Sequence, residues 1–223
     1  PLRVKEAAFA VQEQTFRFTL LVDGKTADIA RYPNIVVFSD LIPGNPLTVS
    51  VEKGKWAVNA HYVKGMQPQT YSIQASINGS QPHQVAELIV EPSTYELSVN
   101  KKDFTFKQSE LAKVKAKDFS FNVTLKEDGT RIPPDKVQIE GWPTQWIKTD
   151  INSKKPNEMN VTLSGDLSVE PKDHFVTLSY TNISGQTVTE TVTVHILPAQ
   201  FTLTLTPDKR MIFNTVQEFA NNT

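Results

Sequence analysis

Cysteine is absent from this chain, and glycine, methionine and tryptophan are scarce, with 9, 3 and 3 residues. The lack of cysteine excludes disulfide-stapled domains, thiolate metal sites and cysteine nucleophiles. No apolar run reaches the roughly 18–20 residues of a membrane span, and the first residues show no signal-peptide pattern. The formal net charge is −1, and charged residues of both signs are scattered along the chain without a basic stripe. We therefore expect neither nucleic acid nor a membrane as partner.

Motifs for catalysis and cofactor binding are missing as well. The chain has four histidines, and no two of them have the spacing of metal ligands. Nucleotide-binding, hydrolase and calcium-loop patterns do not occur. We therefore predict a protein that is not an enzyme, with no catalytic residues, no metal and no cofactor.

An internal repeat is the strongest positive signal. The segment PSTYELSV at 92–99 returns as PAQFTLTL at 198–205, a displacement of about 106 residues. The segment 16–24 returns as 121–129, a displacement of about 105 residues. Units of this size fit a small β-sandwich domain that needs no disulfide.

Apolar and polar residues alternate with period two along most of the chain, which predicts half-buried antiparallel strands. The predicted strands are 9–11, 16–22, 35–38, 47–51, 56–62, 71–77 and 85–90, then 95–99, 104–106, 119–125, 137–139, 159–163, 175–180 and 188–196. Segment 108–117 is interpreted as a loop, and Asp-Gly, Asn-Gly and Ser-Gly pairs mark tight turns. The expected fold is all-β, with tandem immunoglobulin-like antiparallel β-sandwiches.

The repeat begins at different points in the two units. Unit one, 1–91, is expected to lack its first strand, whereas unit two, 92–197, opens with the strands at 95–99 and 104–106. Residues 198–223 then repeat that opening element, and its apolar side chains form a candidate assembly strand: Phe201, Leu203, Leu205, Met211 and Phe213. This trailing element starts a third unit, adds to a neighbouring copy as a donor strand, or folds back on unit two.

Two tryptophans around a proline form a candidate recognition surface. Trp142 and Trp146 follow a predicted strand, where their rings could stack on sugars or anchor a protein. The alternative places one of them in the core and the other over the end of the domain. Trp56 is predicted to belong to a core.

With this organisation the chain resembles the tandem immunoglobulin-like modules of bacterial surface proteins and of tailed-phage virion proteins. The resemblance is one of architecture: cysteine-free units, threonine-rich outer strand faces and proline junctions. It implies a structural virion component (tail, neck or capsid decoration) that assembles in the host cytoplasm. Its partners would be copies of itself or neighbouring virion or surface proteins. The alternatives are a bacterial adhesin or stalk at the cell surface, and a carbohydrate-binding module that contacts a cell-surface glycan.

Overall fold

The computed structural model describes residues 1–27, 31, 35–38, 47–52, 55–63, 65–151 and 153–200. The elements of unit one are β1 (Leu2–Lys5), α1 (Glu6–Val11), β2 (Gln14–Phe18), β3 (Leu21–Val22), β4 (Lys25–Thr26), β5 (Ile35–Phe38), β6 (Leu47–Glu52), β7 (Lys55–Ala60), β8 (Thr70–Ile77) and β9 (His83–Glu91). The strands of unit two are β10 (Tyr95–Val99), β11 (Asp103–Lys107), β12 (Ser120–Glu127), β13 (Thr130–Ile132), β14 (Gln138–Glu140), β15 (Ile147–Ile151), β16 (Met159–Leu163), β17 (Asp173–Thr181) and β18 (Thr187–Leu197). Short 3₁₀ helices lie at Gln108–Lys113, Ala116–Phe119 and Thr144–Trp146.

Unit two has the strand order of an immunoglobulin-like sandwich. One sheet runs β10-β12-β16-β15, with β13 also paired to β12, and the other runs β11-β18-β17-β14. Strand β10 is antiparallel to β12, whereas β11 is parallel to β18. The two orders correspond to the ABED and GFC sheets of the immunoglobulin fold, with the opening segment divided between both sheets.

Unit one repeats this arrangement. Its sheets run β2-β7-β6 and β1-β9-β8-β5, and β3 pairs with β4 in a hairpin. The register repeats as well: Phe16 lies opposite Val58 just as Phe121 lies opposite Val161. The predicted tandem immunoglobulin-like architecture is confirmed by this topology.

Each unit has its own apolar core, built from the inward face of its strands. Along β12 every second side chain is buried, including Phe121, Val123 and Leu125. The two clusters of buried residues draw on positions 4–90 and 97–196, respectively. Burial of such side chains contributes about 1.5–3 kcal/mol each, so these cores hold the two sandwiches together.

The predicted strand at 9–11 is wrong, because this segment ends a short helix. In α1 the side chain of Phe9 is 1% exposed while that of Val11 is 87% exposed. A strand would place these two side chains on the same face. The alanines around Phe9 favour helix, and the turn carries Phe9 into the core of unit one.

The interpretation of 108–117 as a loop is also wrong in part. Two 3₁₀ helices occupy Gln108–Lys113 and Ala116–Phe119, and they bury Leu111 and Phe119. Helices this short leave no periodicity to recognise in the sequence. The strands β1, β13 and β15 were also missed, and β15 shows no alternation of buried and exposed residues.

Strand β1 revises the expected start of unit one. It lies parallel to β9, with Val4 opposite Val90, just as β11 lies parallel to β18. Unit one therefore contains a counterpart of β11. Among the described residues, no strand in unit one is a counterpart of β10.

Candidate protein-interaction site

The outer edge of β2 is the first feature that distinguishes the two units. Strand β12 is paired on both sides, with β16 and with β10. Its counterpart β2 pairs with β7, and no other strand of the described chain pairs with β2. The backbone along this edge is thus open to pairing with a further strand.

Burial of the core side chains follows this difference in pairing. In β12, Phe121, Val123 and Leu125 are 1%, 0% and 0% exposed. The residues at the same positions in unit one remain only half-buried: Phe16, Phe18 and Leu20. The core of unit one is therefore less well covered along β2 than the core of unit two along β12.

A groove of about 260 Å³ lies beside β2, at the end of unit one where the chain begins. Side chains from both sheets line it, among them Leu2, Phe16, Phe18, Ile73 and Val85. Val85 is 48% exposed. An apolar groove beside an open sheet edge can accept an extended segment that pairs with the edge and fills the groove with alternate side chains.

Strand β10 shows how such a segment is held in unit two. Leu97 lies opposite Leu125 and is 7% exposed, so it closes the core on this side. On the outer face, the hydroxyls of Ser98 and Thr124 are 2.8 Å apart. The hydroxyl of Tyr95 donates to Glu127 at 2.5 Å, and burial, followed by this hydrogen bond, raises the pKa of Tyr95.

The turn after β12 also holds the start of β10. The carboxylate of Asp128 accepts hydrogen bonds from the backbone N–H and the hydroxyl of Thr94, at 2.9 and 3.0 Å. The backbone hydrogen bond is the main cause that lowers the pKa of Asp128. A charged acceptor of this kind fixes where the strand begins.

Asp23 stands at the same position of the turn in unit one. Its φ angle of 51° matches the 46° of Asp128, and a glycine follows in both turns, as the sequence predicted. The side chain of Asp23 is exposed. No partner for its carboxylate is found among the residues that the structure describes, so the acceptor used in unit two is unused here.

A second feature is the junction between the units. Lys5 Nζ donates to the carbonyl of Pro92 at 3.2 Å, and the N–H of Ala7 donates to Ser93 Oγ at 3.3 Å. Ser93 is 2% exposed. The linker is therefore hydrogen-bonded to the end of β1 and to the first turn of α1.

Glu6 lies beside this junction as a buried carboxylate. It is 0% exposed, and neither carboxylate oxygen has a hydrogen-bond partner among the described residues. Burial, followed by the charge of Glu6, raises the pKa of Tyr62. A buried carboxyl group without hydrogen-bond partners costs stability.

The candidate tryptophan surface needs correction. Trp142 is 5% exposed, and its indole N–H donates to the carbonyl of Ser164 at 2.9 Å. Its ring meets the ring of Phe119 edge-on, with centroids 5.6 Å apart. Trp142 is thus a core residue and cannot stack on a sugar, while Trp146 is half-buried against the same core. The burial of Trp142 agrees with the alternative that placed one of the two tryptophans in the core.

The candidate assembly strand, with Phe201, Leu203, Leu205, Met211 and Phe213, lies outside the described residues. Within the described ranges, no cluster of three or more His, Asp or Glu residues could hold a metal ion. Those ranges contain no helix that is both long enough and apolar enough to cross a membrane.

The repeat predicts an open edge in unit one, because the segment equivalent to 95–99 is missing before residue 16. The role of Asp23 as an acceptor was not predicted from the sequence. It required the register of β10 on β12 and the bond between Thr94 and Asp128, which the structure provides.

No family model matches the chain, and no curated protein matches it. Among solved structures, the titin domains Z1 and Z2 in complex with telethonin match with 15% identity and a TM-score of 0.34, covering 89% of this chain and 93% of that chain. The human desmocollin-1 ectodomain matches with 12% identity and a TM-score of 0.34, covering 74% of this chain and 35% of that chain. An endo-fucoidan hydrolase of glycoside hydrolase family 107 matches with 10% identity and a TM-score of 0.30, covering 90% of this chain and 28% of that chain. Similarities this weak identify no relative, and the immunoglobulin-like assignment rests on strand order.

Proposed function

We propose that this protein is a non-enzymatic structural component of a tailed-phage virion, in its tail, neck or capsid decoration. The observation that carries the proposal is the pair of like-built sandwiches joined through a hydrogen-bonded linker. Contacts of Lys5 and Ala7 with Pro92 and Ser93 hold the linker against unit one. A chain of this kind can hold neighbouring proteins at a set distance.

Composition supports a setting in which thiols stay reduced. A chain without cysteine depends on its apolar cores alone, and both cores are well formed in the described residues. The virion setting assumes assembly in the cytoplasm of the host cell. The alternative setting, a bacterial adhesin or stalk, uses the same architecture at a cell surface.

The carbohydrate-binding alternative loses its best support. It depended on two exposed tryptophans, and Trp142 is buried with its N–H already bonded within the core. We therefore expect protein partners rather than a glycan.

Fractionation of phage particles tests the proposal. An antibody against the full chain is applied to particles purified by density gradient from a lysed culture that carries the gene. We expect the chain to band with the particles and to resist a high-salt wash. Recovery of the chain only with the cell envelope would contradict the virion assignment and favour the adhesin.

A further inference from the structure

We propose that β2 is the acceptor for segment 198–205 of a second copy of this chain, which adds as the missing strand of unit one. The inference rests on the proposed structural role and names the partner. The added strand would pair antiparallel with residues 18–22, at the end of β2 and along β3, and its last residues would lie at the edge of the groove beside β2. Copies would then join head to tail.

The sequence of the segment is the first argument for it. Residues 198–205 repeat residues 92–99, and the structure shows what 92–99 does: it leads into β10, which closes the core of unit two along β12. Phe201, Leu203 and Leu205 take the places of Tyr95, Leu97 and Val99. The same alternation of apolar and polar residues is thus available to cover a like-built unit.

The register of unit two predicts the register of the added strand. There Leu97 lies opposite Leu125, and Val99 lies opposite Val123. Transferred through the repeat, Leu203 lies opposite Leu20, and Leu205 lies opposite Phe18. These are positions where the side chains of unit one are only half-buried.

The turn aspartates supply an independent argument. Asp128 accepts the N–H of Thr94, which lies just before β10. The residue equivalent to Thr94 in the trailing segment is Gln200, and the residue equivalent to Asp128 is Asp23. The carboxylate of Asp23 would accept the N–H of Gln200, which gives a role to an acceptor that the described chain leaves unused.

Chain geometry excludes the chain's own segment as the occupant. Ile183, in the loop just before β18, lines the cleft at the junction together with Ala7. Strand β18, with 11 residues, then runs roughly 33–36 Å away from that loop. Phe201 follows Leu197 by four residues and can return by at most about 14 Å. The groove lies on the far side of the junction, beyond the reach of 201–205.

Cross-linking between engineered cysteines tests the contact, and the natural chain contributes no cysteine of its own. In unit two the side chains of Ser98 and Thr124 touch on the outer face. Their equivalents are Thr204 in the segment and Thr19 after β2. Full-length Thr19→Cys and Thr204→Cys chains are mixed under mild oxidation, and we expect a disulfide-linked dimer on a non-reducing gel.

The matched control is Thr15→Cys, an exposed position four residues earlier that faces the same side. Four residues shift the contact by roughly 13 Å, too far for a disulfide, so we expect roughly tenfold less dimer with Thr204→Cys. Equal yields from both pairs, or no dimer from either, would overturn the proposal. Cross-linking within the doubly substituted Thr19→Cys/Thr204→Cys chain as a monomer would also overturn it.

A substitution of Asp23 distinguishes this specific contact from nonspecific self-association. Asp23→Asn keeps a residue that tolerates the positive φ of the turn while removing the charge. We expect roughly tenfold weaker self-association by mass photometry, because a charge-assisted hydrogen bond is lost. Asp118→Asn, an exposed change of the same charge in unit two, should leave association unchanged. Equal weakening by both variants would contradict the proposed register.

The two proposals fail in different ways. If the chain bands with particles but Thr19→Cys and Thr204→Cys do not cross-link, the virion role stands and the acceptor is wrong. If the cross-link forms but the chain is absent from particles, the acceptor stands and the virion role is wrong.

Discussion

Truncating equivalent leucines in the two units tests whether the core of unit two is protected by β10 and the core of unit one, which has no such strand in the described structure, is not. Leu125 and Leu20 occupy the same position in the repeat. Leu125 is 0% exposed under β10, whereas Leu20 is half-buried beside the open edge. Leu125→Ala should destabilise unit two by about 3 kcal/mol, within the usual cost of about 2–5 kcal/mol for a buried leucine. Leu20→Ala should cost unit one about 1 kcal/mol, because part of its surface already meets water and the open edge leaves room for the core to adjust.

Hydrogen exchange measured by mass spectrometry reads each unit separately. Peptides that cover β16 report on unit two, and peptides that cover β7 report on unit one. Leu125→Ala should speed exchange in β16 about a hundredfold and leave β7 unchanged, since about 1.4 kcal/mol corresponds to tenfold. Leu20→Ala should speed exchange in β7 by less than about tenfold and leave β16 unchanged.

Protein concentration provides the control for this experiment. At dilutions where the chain is monomeric, the small cost of Leu20→Ala should hold. At high concentration an added strand would cover Leu20, and the cost should rise towards that of Leu125→Ala. A cost for Leu20→Ala that equals that of Leu125→Ala in the monomer would refute the open edge.

Two further predictions concern the turns and the start of β10. A Cβ on Gly141 would lie 2.0 Å from the carbonyl oxygen of Phe175, so Gly141→Ala should lower the free energy of unfolding by about 3 kcal/mol or more. Gly79→Ala is the control, since φ is also positive there but no atom lies within 4 Å, and it should cost about 1 kcal/mol; similar losses measured by urea unfolding would contradict the clash. The folded-state pKa of Asp128 lies below its ordinary value of 3.8, so its stabilisation is complete above that pH and is lost as pH falls through the lower value. Asp128→Asn should therefore flatten the acid side of the stability curve of unit two, and an unchanged curve would show that the bond to Thr94 contributes nothing.

The positions of most strands could be predicted because the signals are local. Apolar and polar residues alternate along 121–125, which requires only that one face of the strand is buried and the other is exposed to solvent. The structure buries every second residue there. The Asp-Gly turns were predictable because few residue pairs adopt positive φ readily. The α1 helix was missed because one turn of helix and a short strand both place an apolar residue inside, and only the partner surface distinguishes them.

The sequence by itself determined the all-β class, the two-unit repeat and the inward side of strands such as β12, because these patterns can be read along the chain without knowing which segments meet. Only the tertiary structure decided that Trp142 is a core residue. It also decided that, among the residues that it describes, Glu6 is buried without a hydrogen-bond partner and β7 is the one strand paired with β2. These outcomes depend on which distant segments meet. Covering a side chain or pairing a strand edge is a contact between residues far apart in the chain, and no local pattern records whether that partner is present.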